Sequence, residues 1–155
     1  PKLYGRDEQK KNVVDCITQD KYSANNLTVL SVVGPGGLGK TKLTQHIGRD
    51  LVEKTTLAPF RKGGTQGNMV IVTTRIPRVA EMVTTIASPI RLERLKEKDC
   101  MVFFKACVFG DQQSWWEQHT NLHHVGWEIV RRLKGFPLAV ETVGRLLENE
   151  LTLEY

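Results

Sequence analysis

Residues 34–41 read Gly-Pro-Gly-Gly-Leu-Gly-Lys-Thr and meet G-x-x-x-x-G-K-[ST] at each fixed position. The pattern suits phosphate for physical reasons. Gly34, Gly36, Gly37 and Gly39 let the backbone curl around phosphate oxygens, where side chains would block the approach. Successive N–H groups through Leu38 form an anion nest, and a helix opening at Lys40 adds its positive end. Lys40 can reach the β phosphate, and the γ phosphate when present; Thr41 can offer its hydroxyl to Mg²⁺. The segment implies a site for a nucleoside di- or triphosphate.

Hydrolysis needs more than binding. Mg²⁺ is normally also held by an aspartate ending a second buried strand, and a further group positions water. No apolar run here ends in Asp or Glu, and Asp50, Asp99 and Asp111 lie on or beside helical segments. The apolar run after the P-loop ends in Thr73-Thr74-Arg75, and 33 residues separate Thr41 from Arg75. A strand–helix–strand unit takes about 30 residues, so no room remains for an acidic strand. Arg75 follows a parallel strand at the end where ligands of open sheets collect. It can sense a γ phosphate there, or be an exposed base in the turn before Pro77. No catalytic residue is identified.

The elements that must position these groups are legible by pattern. Asp7 can cap a helix running to Cys16 or Gln19. Residues 20–26 and 54–68 read as loops, the second containing the patch Leu57-Ala-Pro-Phe60. Leu27–Val33 and Met69–Thr74 read as buried strands, and residues 89–92 as a shorter third. Helices are expected at Lys40–Glu53, from Pro77 to Val83, and then at 97–109, 119–133 and 138–148. The fold class is therefore α/β, a parallel P-loop sheet of about three strands followed by a helical subdomain. The boundary falls at about residue 95, giving 1–95 and 96–155.

Bulk properties fit one soluble domain: 155 residues, 40% hydrophobic, 25% charged. A net charge of +5 falls short of a nucleic-acid footprint. No apolar run is long enough to span a membrane, and no signal-peptide pattern is present. Pro1 suggests a chain cut from something longer. Cys16, Cys100 and Cys107 lack zinc or disulfide spacing and read as small hydrophobes of a reducing compartment. His119, His123 and His124 lack the acid of a metal motif, and Trp115 and Trp116 read as packing residues.

Taken in order, the motifs resemble the NB-ARC module of plant nucleotide-binding leucine-rich-repeat immune receptors. Tyr4-Gly-Arg-Asp7 resembles that family's opening motif and GPGGLGKT its P-loop. Val70–Arg75 is similar to its strand ending T-T-R, and Leu92–Gly110 to the start of its helical subdomain. Gly135-Phe-Pro-Leu-Ala139 is similar to its G-L-P-L-A motif. The resemblance covers essentially the whole chain. It implies that Lys40 and Thr41 hold phosphates and metal, and that Arg75 senses the terminal phosphate. Tyr4 and Arg6 would flank the base, and Pro137 would pack on adenine or ribose. The implied cofactors are ADP or ATP, with Mg²⁺ accompanying ATP. The implied function is an intracellular switch in defence signalling, resting with ADP and oligomerising with ATP. Its partners would be the other receptor domains and further copies of itself, not nucleic acid.

The chain also departs from that pattern. Relatives usually carry two further strands before the T-T-R strand, one ending in the acidic pair that handles Mg²⁺ and water. That region is absent after about Glu53, where Lys54-Thr55 runs toward Leu57. Lys42 and Gly48 replace a common threonine and tyrosine. By the resemblance, the P-loop strand lies between an absent strand and the T-T-R strand, with the strand near Ile90 beyond the latter. An exposed edge and marginal stability follow. A slow ATPase, should the parent protein carry the acidic strand, and an inactive adaptor-like remnant are the alternatives.

Overall fold

The structure, a computed structural model, describes residues 2–18, 27–57, 68–86, 88–110 and 113–153, without the side chains of 52–57, 68, 113, 115 and 151–153. Most of the expected loops 20–26 and 54–68, together with Asp111 and the Trp115 side chain, lie outside this description. The chain divides into two compact units, Pro1–Glu93 and Arg94–Tyr155.

The first unit is built on helix α1 (Asp7–Thr18), strand β1 (Leu27–Val33), helix α2 (Lys40–Leu57), strand β2 (Asn68–Thr74), helix α3 (Pro77–Val83) and strand β3 (Ile90–Arg91). The strands form one parallel sheet in the order β2-β1-β3. β1 and β2 pair along seven residues, from Leu27↔Asn68 to Val33↔Thr74. β1 is uncharged and β-branched, which suits a strand covered on both faces. Leu30, Ser31, Val32 and Val33 are all buried. Leu43 and Ile47 of α2 and Val13 of α1 are fully buried as well, as their helical spacing requires.

α3 begins at Pro77, whose fixed φ and missing N–H suit the first turn. A hydroxyl cluster ties this helix to the sheet. The buried Ser31 hydroxyl donates to the Ala80 carbonyl over 3.3 Å, and the Thr84 hydroxyl lies 2.7 Å from Ser31 Oγ. A polar residue in the middle of the most buried strand is thereby satisfied.

Four expectations are corrected. The strand near Ile90 pairs with β1, not with the T-T-R strand. The chain after α3 runs along β1's second edge: Val29 N–H donates to Thr85 Oγ1 (2.8 Å), Thr85 N–H to the Val29 carbonyl (2.9 Å), and Leu92 N–H to the Val33 carbonyl (2.8 Å). β2 is not a buried strand: none of its described side chains is fully buried, and Val70 is 44% exposed. As an edge strand it gains backbone partners on one side only among the described residues. Asp7 is not the cap but the first residue of α1, because Lys10 N–H donates to the Arg6 carbonyl.

The fourth correction falls in the second unit. Helix α4 spans Glu97–Phe109 as expected, but the α-helix expected over 119–133 begins only at His123. A short α5 (Gln113–Gln118) and a 3-10 turn (Thr120–Leu122) precede α6 (His123–Arg132), and α7 runs Pro137–Leu153. The turn between α5 and α6 is built around Trp116. Its ring is buried, stacks on His123 at 4.5 Å and tilts against Phe109 at 5.7 Å. His123 Nε2 also bonds the Trp116 carbonyl over 2.8 Å, turning the chain between α5 and α6. Cys100, Met101, Phe104, Val108, Val130 and Val140 complete this core. Cys100 behaves as the small hydrophobe expected, and burial pushes its thiol pKa up.

Candidate phosphate site

The loop between β1 and α2 is held from several sides within the first unit. Gly34 continues the sheet by one residue, donating its N–H to the Thr74 carbonyl over 3.2 Å. A Cβ at Gly34 would stand 2.8 Å from the Leu92 carbonyl oxygen, so the loop leaves the sheet through a gap that only glycine fits. Gly37 (φ 78°) and Gly39 (φ 85°) adopt left-handed conformations that bend the chain back. Leu38 between them is 1% exposed and anchors the loop in the core. Leu43 N–H then donates to the Gly39 carbonyl over 2.9 Å as α2 begins.

Two cations converge on this turn. Lys40 Nζ donates to the Gly34 carbonyl (2.6 Å) and the Pro35 carbonyl (2.8 Å), folding its ammonium across the loop. The Arg75 guanidinium carbon lies 3.3 Å from the point a Cβ would occupy on Gly36. Parallel pairing of β1 and β2 brings this about: Gly34 and Arg75 follow paired residues at the same end of adjacent strands. Burial first, and the charge of Arg75 second, hold Lys40's pKa below the ordinary lysine value. Two neighbouring cations over a glycine turn at a helix N-terminus form a site that an anion would stabilise.

The remaining candidates are placed as follows. Thr41 is exposed in the first turn of α2, its carbonyl accepting from the Thr44 hydroxyl over 3.0 Å. Tyr4 is half-buried, with the Lys2 ammonium 5.5 Å above its ring. Arg6 is 4% exposed, and its guanidinium donates to the Glu93 carbonyl (2.7 Å) and the Leu38 carbonyl (3.0 Å). Pro137 stands in the second unit as the first residue of α7. There Gly135 turns with φ 71° and accepts from Leu95 N–H, while the Arg94 guanidinium lies 4.7 Å over the Phe136 ring.

The loop, Lys40 and Arg75 fit phosphate. The fit to a protein-held magnesium is narrower. Among the described residues no cluster of three His, Cys, Asp or Glu side chains could hold a metal. Asp50 is ten residues along α2 from Lys40, roughly 15 Å at helical rise, and is engaged by Lys10. Sequence reasoning missed the grip of Arg6 on the loop, because nothing in a single sequence signals a contact across 32 residues.

No protein-family model matches the chain. Disease resistance protein RGA2 of Solanum bulbocastanum is 27% identical over 217 residues, covering 95% of this chain and 22% of that protein. An RPP13-like protein of Arabidopsis thaliana is 24% identical over 219 residues, covering 96% of this chain and 20% of that protein. The chain thus spans about a fifth of the length of the curated relatives it matches. About 147 residues of this chain enter the 217-residue alignment, so about 70 aligned positions of RGA2 have no counterpart here. Among the described residues no helix is long and apolar enough to cross a membrane.

Proposed function

We propose that this chain, similar to plant disease resistance proteins, is one domain of a larger receptor of the NB-ARC type, the ADP/ATP-holding module of an intracellular immune switch. The observation that carries this reading is the convergence of Lys40 and Arg75 on the glycine turn. The loop amides and Lys40 would hold the phosphates. Arg75 would distinguish ATP from ADP through the terminal phosphate. Tyr4 would flank the base, and Pro137 would pack on adenine or ribose from a helical subdomain over residues 96–155. A nucleotide-borne Mg²⁺ would neutralise phosphate charge beside Thr41. With no apolar run of the sequence ending in Asp or Glu, hydrolysis would be slow, suiting a switch rather than a metabolic enzyme. The setting would be cytoplasmic, and exchange of ADP for ATP would permit oligomerisation.

Calorimetric titration with ADP and ATP tests the reading. Lys40→Ala should weaken both by about a hundredfold, and Arg75→Ala should weaken ATP about tenfold more than ADP. An absence of nucleotide binding by the unaltered chain would turn the reading into that of an inert remnant. Steady-state phosphate release that disappears in Lys40→Ala would favour the ATPase alternative.

A further inference from the structure

Arg6 stands out among the described buried polar residues: it is the charged one, the others being Thr28 and Ser31. Burying a guanidinium is costly unless its donors are engaged. Two bonds to main-chain carbonyls engage it here, 2.7 Å to Glu93 and 3.0 Å to Leu38. The carbonyl of Arg6 itself accepts from Lys10 N–H at the start of α1, which roots the residue in that helix. Arg6 therefore ties together the start of α1, the middle of the phosphate loop and the last residue of the first unit.

The tie to Leu38 has a chemical consequence. Leu38 lies between Gly37 and Gly39, the two left-handed residues of the loop, where the backbone has least intrinsic preference. The Leu38–Gly39 peptide is trans, so its carbonyl and its N–H point in opposite directions. Fixing the Leu38 carbonyl on Arg6 therefore fixes the direction of the Gly39 N–H. That N–H immediately precedes Lys40 and belongs to the nest a phosphate would enter. A bond donated by a guanidinium is stronger than one between neutral groups and is directional, so Arg6 can set the peptide plane as well as satisfy it.

We propose that Arg6 is a positioning residue that orients the phosphate loop, not a contact to the nucleotide base. The proposal rests on the reading of the loop as a phosphate site. It predicts that Arg6 acts on pyrophosphate and ADP alike, since its effect passes through the loop amides. A base contact would act on ADP alone.

The test measures calorimetric affinities of the chain for pyrophosphate and ADP, with hydrogen exchange at the Leu38–Leu43 amides in the unliganded protein. Arg6→Ala should raise Kd for both ligands by about tenfold with their ratio unchanged, and speed exchange at Gly39. Arg6→Lys, which retains the charge but not the fork, should fall between, and it serves alone if Arg6→Ala does not fold. Ile71→Ala, a smaller truncation in energy, controls for simple loss of stability: it should lower the melting point without changing pyrophosphate affinity. Loss confined to ADP would overturn the proposal in favour of a base contact. Unchanged affinities with unchanged loop exchange would overturn it outright. If the unaltered chain binds neither ligand, the phosphate reading fails and the proposed role falls with it. The exchange result then shows separately whether Arg6 fixes the loop.

Discussion

β1 and β2 are neighbouring seven-residue strands of similar composition, paired residue for residue, and their fates differ. Leu30 of β1 is fully buried, while its partner Ile71 in β2 is only partly covered. β1 has a strand on each edge; β2 has one on a single edge among the described residues. Burial is thus a property of place in the sheet, not of apolar content. The same pairing makes the two strands equal at their C-terminal ends, where one delivers the glycine loop and the other delivers Arg75. The sheet's most buried residues come from β1, and the candidate phosphate site draws on both strands.

The sharpest way to break this comparison is to truncate the two partners. Leu30→Ala should cost about 2–5 kcal/mol in urea unfolding, and Ile71→Ala roughly 1 kcal/mol, because a half-open side chain has less transfer energy to lose. Equal costs would show that β2 is covered in solution. ADP at a hundred times its Kd should add about 2.7 kcal/mol, or roughly 5–10 °C in the melting point, by joining the two strand ends through one ligand. At the same ADP concentration that stabilisation should fall to about 0.4 kcal/mol in Lys40→Ala. A high melting point without nucleotide would count against the expected marginal stability.

Smaller effects sharpen the picture. Gly48 lies inside α2 with nothing within 4 Å of where an added methyl would stand, so Gly48→Ala should stabilise by about 1 kcal/mol through helix propensity. Val70→Lys, at an exposed position of β2, should change unfolding by less than about 0.5 kcal/mol. It should nevertheless reduce concentration-dependent self-association in light scattering, because an exposed uncharged strand edge invites pairing.

The last effect is confined to alkaline solution. Lys40 has a lowered pKa in the folded chain, so between that value and the ordinary lysine value the folded state binds fewer protons than the unfolded one. Its contribution to stability is therefore present above the unfolded value and lost as pH falls through the folded one. Phosphate binding restores the proton. ADP affinity should then decline as pH rises through this window, with proton uptake visible as a buffer-dependent binding enthalpy. A proton release there would contradict the assignment of Lys40.

Several parts of the fold were legible because the physics that sets them is local. Pro77 begins α3 since its ring suits only the first turn, and Glu97–Phe109 is a helix bounded by Gly110 as the pattern required. The α5–α6 turn was not legible, because it depends on Trp116 meeting His123 and Phe109 rather than on a breaker residue. At the candidate site, the glycines, Lys40 and Thr41 could be read directly. Arg75 could be read only as one of two alternatives, since its proximity to Gly36 depends on strand register.

By itself the sequence determined the glycine turn, the helix after it and the residues present at the candidate site. These follow from left-handed turns that glycine tolerates, from periodicity, and from which side chains are present at all. Only the tertiary structure decided that β1 is central, that β2 has a strand on one side alone among the described residues, and that Arg6 reaches Leu38 and Glu93. Those outcomes depend on backbone groups pairing across tens of residues, and a backbone carbonyl carries no mark in the sequence of the partner it will meet.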